Sequence, residues 1–521
     1  MPSRSRLLAA IVPLAVLLWA GVSSDPAGAI QPDPVAGPDF NGDGYGDIVL
    51  PVPSENAAAG IVHVIPGSAT GPQPALSQVW SQDSFGVGDS SEPRDYFGRE
   101  WAYGDLDGDG YDDLVVGVQG EMISGWDGAG AVHVIYGGSN GLTASGDTII
   151  SRANAMSPGL PTGFESFGRS VATGDFNGDG YDDLAVGVGT SVDGNAGAGS
   201  VIVYTSGPSG PFASSEFHQN SPGIADSAEQ SDGFGLSLAS GDWNGDGNDD
   251  LAIGIPFEDT SGAMNGGAVA MLRGSDGGIT ASDQLFSQST AGIPDMPDLD
   301  DMFGYSLAAG PLDGDGRDDL AIGVPGESAS GMNNAGSIVV LRGWESGLTS
   351  IGSVLINRGT TGVPGSPSAI DYMGLSLQGA DFDGNGQMDL AAGMVTDYVD
   401  AEVSAGSVIV LYGGSGFIGS PGTGAELWSQ SSAGVGDSPE SYEYFGWELG
   451  AADVNDNGRV DLVAFVPGET VGGEGSAGAA HVLFGINGGL TGSASKLYHQ
   501  DTPGVGDVAE AGDNLGTVII L

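Results

Sequence analysis

Short alternations of apolar and polar residues recur along this chain, and none of them keeps a helical period. Gly235–Gly241 alternates small or polar with apolar positions, and the unbroken apolar run Leu251–Pro256 follows ten residues later. Further on come β-rich stretches such as Gly336–Arg342, and then shorter segments that end at a glutamine, as in Val79–Gln82, Leu285–Gln288 and Leu427–Gln430. Period-two alternation and short apolar runs bounded by Gly-rich turns predict strands. Four such strands form one unit, and the unit repeats. Four antiparallel strands at a period longer than that of β-helices or leucine-rich repeats predict a propeller blade.

A nine-residue Asp-rich segment counts the units. It starts at Asp39, Asp105, Asp175, Asp242, Pro311, Asp381 and Asp453, at intervals of 66, 70, 67, 69, 70 and 72 residues. Upstream of it stands an aromatic-glycine pair, Phe97-Gly98, Phe167-Gly168, Phe234-Gly235, Phe303-Gly304 and Phe445-Gly446, with Met373-Gly374 as a variant. The first unit lacks this pair and its strand, whereas the last residues, Asp513–Leu521, look like that strand without a loop after it. The expected fold is therefore all-β, a seven-bladed β-propeller of four-stranded antiparallel blades whose first blade is completed by the C-terminal strand. Such an overlap closes the ring and removes exposed sheet edges.

The Asp-rich segments also carry the candidate chemistry. Their spacing places oxygen side chains at positions 1, 3, 5 and 9, offers a backbone carbonyl at position 7, and keeps glycine at position 6 for the sharp turn. The resulting candidate metal ligands are Asp39, Asn41, Asp43, Tyr45 and Asp47 in the first loop and Asp105, Asp107, Asp109, Tyr111 and Asp113 in the second. The third has Asp175, Asn177, Asp179, Tyr181 and Asp183; the fourth Asp242, Asn244, Asp246, Asn248 and Asp250. The fifth has Asp313, Asp315, Arg317 and Asp319, the sixth Asp381, Asp383, Asn385, Gln387 and Asp389, and the seventh Asp453, Asn455, Asn457, Arg459 and Asp461. A hard cation such as Ca2+ takes six to eight oxygens at about 2.3–2.6 Å, which this pattern can deliver. An EF-hand is excluded, because position 12 holds Leu50, Val116 or Val186 inside a predicted strand where that motif needs glutamate. The competing reading is a set of plain Asp-Gly hairpin turns. Up to seven Ca2+ sites are expected, the second loop strongest by its carboxylate count, and segments 311–319 and 453–461 weak or empty. Because protein oxygens fill the ligand set, the metal is expected to be structural rather than catalytic.

Charge and leader change the picture in two ways. With 12 basic against 68 acidic residues the formal charge is −56, which excludes nucleic acid and anionic membrane surfaces as natural partners. Residues 1–29 read as a signal peptide, from Arg4 and Arg6, an apolar stretch and a small-residue cleavage site, so residues 30–521 would form the exported propeller. No other segment is long and apolar enough to span a bilayer. There is no cysteine, hence no disulfide. A secreted, extracellular monomer is expected.

Together, the Phe-Gly strand, the Asp-rich loop and the apolar strand ending in Gly-x-Pro resemble the FG-GAP repeat of the integrin α-subunit propeller. The resemblance implies calcium in the strand 1–2 hairpins on one face and a role as an adhesion or ligand-binding scaffold. Strand 2–3 and strand 4–1 loops then gather on the other face, where Gln119–Gly130, Phe257–Gly266 and Thr396–Ala405 are long and varied. An extracellular protein or glycan ligand is expected there. Two alternatives are a secreted hydrolase or lyase acting on a polysaccharide or ester, and a structural surface protein. No catalytic residues are assigned: Ser139 sits in a formal nucleophile-elbow pattern at a predicted turn, and His63, His133 and His481 fall at one repeat position.

Overall fold

In the computed structural model, which describes residues 37–154, 157–417 and 424–516, each apolar run after an Asp-rich loop is a strand buried along its whole length. Such a run needs apolar cover on both faces, and it finds it between neighbouring blades. In the fourth blade the strands Ser237–Gly241, Asp250–Ile255, Ala268–Arg273 and Thr280–Phe286 pair antiparallel in chain order. The second, third, fifth, sixth and seventh blades repeat this four-stranded order. Seven antiparallel sheets in a ring make a seven-bladed β-propeller.

The first blade has three described strands, Ile48–Val52, Ile61–Ile65 and Gln78–Trp80. Leu515 is buried against Ile48, Leu50 and Val52, and the Gly516 N–H donates to the Pro51 carbonyl at 2.8 Å. The Leu515-Gly516 pair thus reaches the first blade as each Phe-Gly pair reaches its own. Residues 517–521 of the closing segment expected at Asp513–Leu521, and the signal peptide expected at 1–29, lie outside the described residues.

The aromatic-glycine pair is explained by blade-to-blade packing. Phe97, Phe167, Phe234, Phe303 and Phe445 are fully buried, and each donates its backbone N–H to the third-strand entry of the preceding blade, as Phe167 does to Ala129. The glycine beyond that contact is obligatory, since a Cβ on Gly130 would stand 2.4 Å from the Phe167 backbone. Core clusters accordingly span two blades: Val201 and Val203 of the third blade pack with Leu238, Leu251 and Ile253 of the fourth.

Around the axis the innermost strands are stitched by serines. Ser170 Oγ donates to the Gly235 carbonyl at 2.8 Å, Ser237 to Gly304 at 2.7 Å, Ser306 to Gly374 at 2.8 Å and Ser376 to Gly446 at 2.9 Å. In the seventh blade the equivalent residue is Glu448, 3% exposed, and burial pushes its carboxyl up to about 8.

Two outcomes follow from this packing. A Cβ at Gly254 would lie 1.9 Å from Ser237 Oγ and 2.2 Å from the Gly304 carbonyl. Gly254→Ala should therefore destabilise by about 1–3 kcal/mol, read as a lower denaturation midpoint at unchanged slope. Glu448 binds its proton more tightly folded than unfolded, so its contribution is complete below the ordinary carboxylate pKa and is lost as pH rises to about 8. Melting curves of Glu448→Gln should gain on the parent between about pH 5 and 8 and then run parallel to it; a constant offset across that range would contradict the assignment.

Candidate metal centre

From the second blade to the seventh, each Asp-rich segment is the hairpin between the innermost and second strands of its blade, and in the first it leads directly into Ile48–Val52. At position 1 the carboxylate organises the loop by accepting its backbone N–H groups. Asp105 takes Gly108 and Asp109 on Oδ1 at 2.7 and 3.0 Å and Gly110 on Oδ2 at 2.9 Å. Asp242 and Asp381 do the same for their loops, and Asp39, Asp175 and Asp453 accept two N–H groups each. Position-5 carboxylates accept from position 7, as Asp43 does from Tyr45 and Asp109 from Tyr111. The glycine at position 6 adopts φ near +86° to +88° in the first four loops, a conformation that costs other residues.

Position 9 is the buried anchor. Asp113 accepts the Leu106 N–H from its own loop at 3.0 Å and the Gly137 N–H from the strand 3–4 turn at 2.9 Å. Asp47, Asp183, Asp250, Asp319, Asp389 and Asp461 likewise hold Gly67, Ser206, Gly274, Gly343, Gly413 and Gly485. Both connections therefore share one face. Burial pushes Asp47, Asp113, Asp389 and Asp461 up to about 8 and Asp183, Asp250 and Asp319 up to about 7, against the lowering effect of the backbone donors. A bound cation would reverse that shift.

The loops differ in how their side chains meet. Asp105, Asp107 and Asp113 bring carboxylate oxygens within 4.8 Å of one another, and so do Asp381, Asp383 and Asp389. At position 3 of the third, fourth and seventh loops, Asn177, Asn244 and Asn455 turn an amide N–H onto the position-9 carboxylate. Asn41 instead accepts from the Asp43 N–H at 2.9 Å. The fifth loop is filled by protein: Arg342, from the third strand of the blade, bonds Asp313 at 2.6 Å and reaches Asp315 at 3.5 Å. Pro311 has no N–H and no carboxylate for the position-1 role. In the seventh loop Arg459 turns away to Asn487 at 2.8 Å.

Two features of the loops escaped the sequence reading. Position 8 is a clamp between blades, where Asp112, Asp182, Asp249 and Asp318 accept the position-1 N–H of the preceding loop at 2.7–3.0 Å. Their own N–H groups return to the same residue's carbonyl, and Met388, Val460 and Gly46 keep that backbone bond without a carboxylate. Position 7 covers its neighbour: the Tyr111 and Tyr181 rings lie on the position-4 glycines Gly42 and Gly108, and Arg317 and Gln387 on Gly245 and Gly314. The paired acids Asp112-Asp113, Asp182-Asp183, Asp249-Asp250 and Asp318-Asp319 were the available signal.

The other candidates are quieter. Ser139 lies in the turn between the strands Ala131–Tyr136 and Thr143–Ile150. His63 and His481 are fully buried on third strands, where burial lowers them to about 4, and His133 rests 3.2 Å from Asp147.

Comparison with known proteins matches the repeat. The FG-GAP repeat model aligns with residues 33–65, 97–135, 167–204, 234–271, 303–341 and 445–483; the unit that opens on Met373 lies outside these matches. Integrin alpha pat-2 of Caenorhabditis elegans is 31% identical over 246 residues, 44% of this chain and 18% of that one. Phosphatidylinositol-glycan-specific phospholipase D of Bos taurus is 36% identical over 174 residues, 33% of this chain and 20% of that one. The aligned part is thus about a fifth of the length of these relatives. Among solved structures, the rhamnogalacturonan lyase of Bacillus licheniformis aligns over 83% of this chain and 81% of that one, at 10% identity and a TM-score of 0.33. The repeat matches and the seven-bladed ring together identify the chain as an FG-GAP repeat propeller, similar to that of integrin α subunits.

Proposed function

We propose that this propeller is an exported, calcium-binding scaffold that presents an extracellular protein or glycan ligand site on the face away from its Asp-rich loops. The observation that carries the reading is the convergence of Asp105, Asp107 and Asp113, with a second such set at Asp381, Asp383 and Asp389. In the second loop Asp105, Asp107, Asp109 and Asp113 would hold Ca2+ with the Tyr111 carbonyl. The ion would supply positive charge beside the buried position-9 aspartate of each loop that holds it, and it would fix the hairpin that this aspartate closes. The first, third and fourth loops fit the same ion once the position-3 asparagine presents its oxygen, whereas Arg342 takes the ion's place in the fifth.

Ligand binding on the opposite face is supported by exposed aromatic residues in the long loops. Trp126 and Tyr398 are about half exposed there, on connections carried by a rigid ring. The chain as a whole carries 68 acidic against 12 basic residues, which favours neutral or cationic ligands.

Removing calcium with excess chelator should lower the melting temperature by about 5 °C or more, since each site saturated a hundredfold contributes about 2.7 kcal/mol. Asp107→Asn with Asp109→Asn should lower it in calcium but shrink the further loss on chelation. An unchanged curve after metal removal confirmed by elemental analysis would sink the calcium reading. Arrays of glycans and matrix proteins, probed with and without calcium, test the ligand site: calcium-dependent capture without turnover is expected. Release of a cleaved product would reassign the chain to the hydrolases or lyases, and silence on every array would leave a structural protein.

A further inference from the structure

We propose that the face opposite the Asp-rich loops carries a second ring of hard-cation sites, one in each of five blade junctions, and that an arginine stands in for the ion in the other two. The connection from each fourth strand to the next aromatic-glycine pair is 18 residues long in every copy: 81–98, 151–168, 218–235, 287–304, 357–374, 429–446 and 499–516. Its second residue is Gln82, Gln219, Gln288, Gln430 or Gln500 in five copies and Arg152 or Arg358 in two. Each glutamine sends its Nε2 to a glutamate in the strand 2–3 loop of the following blade: Glu121 at 2.6 Å, Glu258 at 2.7 Å, Glu327 at 2.5 Å, Glu469 at 3.1 Å and Glu55 at 2.7 Å. The last of these joins the end of the chain to the first blade.

The glutamines point to a ligand. All five are at most 2% exposed, and in all five the amide Oε1 has no hydrogen-bond partner. A buried acceptor left unpaired is costly once, and its repetition at one position in five junctions marks a missing donor or cation. Carboxylates gather at the Nε2 end of the amide. Glu92, Asp95 and Glu121 bring oxygens within 4.8 Å of one another, as do Glu55, Glu510 and Asp513. Burial raises Glu121 and Glu55 to about 7 and Glu327 to about 8, and the charges acting on all three come from further carboxylates. A half-turn of the amide presents Oε1 beside those carboxylates. Such an all-oxygen set, without nitrogen or sulfur donors, suits Ca2+ or a similar hard cation.

The two exceptions supply the independent argument. Where the glutamine is present, positions 9 and 12 of the connection are acidic: Asp89 and Glu92, Asp226 and Glu229, Asp295 and Asp298, Asp437 and Glu440, Asp507 and Glu510. Where arginine replaces it, those positions are Gly159 and Thr162, or Gly365 and Ser368. Arg358 pairs with Asp371 at 3.1 Å and Asp397 at 3.0 Å, and Arg152 with Glu165 at 3.4 Å and Glu216 at 2.5 Å. A junction therefore holds either a fixed guanidinium with fewer acids or a neutral amide with more. Buried charge has to be compensated, so the amide junctions call for a mobile cation.

The test uses the whole chain and Ca2+ as probe, with bound ion counted by equilibrium dialysis at pH 8. Gln82→Arg with Asp89→Gly and Glu92→Thr installs the combination found at Arg152, Gly159 and Thr162, and should lose one equivalent of calcium with an unchanged far-UV spectrum. Glu121→Gln should lose the same equivalent, and it decides the matter if the triple variant does not fold. Asp107→Asn with Asp109→Asn should lose a different one, so that the two losses add. A full calcium complement in the folded junction variants overturns this proposal whatever the loop variant does; loss in the junction variants without loss in the loop variant would overturn the loop reading instead.

Discussion

The buried carboxylate at the end of each Asp-rich hairpin is the interaction on which this ring depends. Asp113 and its six counterparts open the second strand of their blades, where water does not reach, so their oxygens must be satisfied by the chain itself. They find backbone donors in two places at once: in five blades the loop that precedes them, and in all seven the turn between the third and fourth strands. One side chain therefore ties the innermost hairpin of a blade to its outer edge. This fixes the loop's shape before any metal is considered. It also makes ionisation of a large set of buried acids depend on whatever positive charge is supplied, which is why arginine and backbone amides converge on the same few positions.

Neighbouring hairpins depend on one another through the two residues beside that anchor. The position-8 N–H donates to the position-1 carbonyl of the preceding loop in every pair, including Gly46 back to Asp453, so the bonds run round the whole axis. Four of them are doubled by an aspartate that takes the position-1 N–H in return. At the fifth loop the second bond is impossible from either side. Pro311 has no N–H to offer, and the residue facing it is Met388, which has no carboxylate to receive one. There the donor and its acceptor are both lost, whereas Val460 and Gly46, facing Asp381 and Asp453, lack only the acceptor.

Much of this was legible in the sequence, because a propeller repeats its local grammar. Alternation, apolar runs and the 66 to 72 residue interval specify strands, their order and seven blades. What stayed hidden is whatever crosses from one unit to another. Position 8 reads as one more acid beside Asp113 until the preceding loop is set against it. Ranking the loops by carboxylate count favoured Asp105–Asp113, yet the sixth loop brings Asp381, Asp383 and Asp389 together equally closely, because its one asparagine at position 5 lies outside that trio. Arg342 enters the fifth loop from a strand 29 residues after Asp313, a distance at which no motif would look. Gln82, Gln288 and Gln430 served in the sequence only to mark where a strand stops; their burial against Glu121, Glu327 and Glu469 needs two blades side by side.

A chain with 12 basic and 68 acidic residues shows through its few arginines what the rest of its acids require. Arg342 sits among the carboxylates of one Asp-rich loop, and Arg152 and Arg358 sit among those of two blade junctions on the other face. In each case the arginine comes with a weakened acidic set: Pro311 for aspartate in the loop, Gly159 and Thr162 or Gly365 and Ser368 for acids in the junctions. A guanidinium on a tether neutralises permanently, so the acids around it can be fewer; an exchangeable ion needs enough oxygens to be held at all. Both faces of the ring therefore obey the same rule of charge compensation. Where the chain supplies no guanidinium, that compensation falls to backbone amides and to protons held well above the ordinary carboxylate range, as at Asp113.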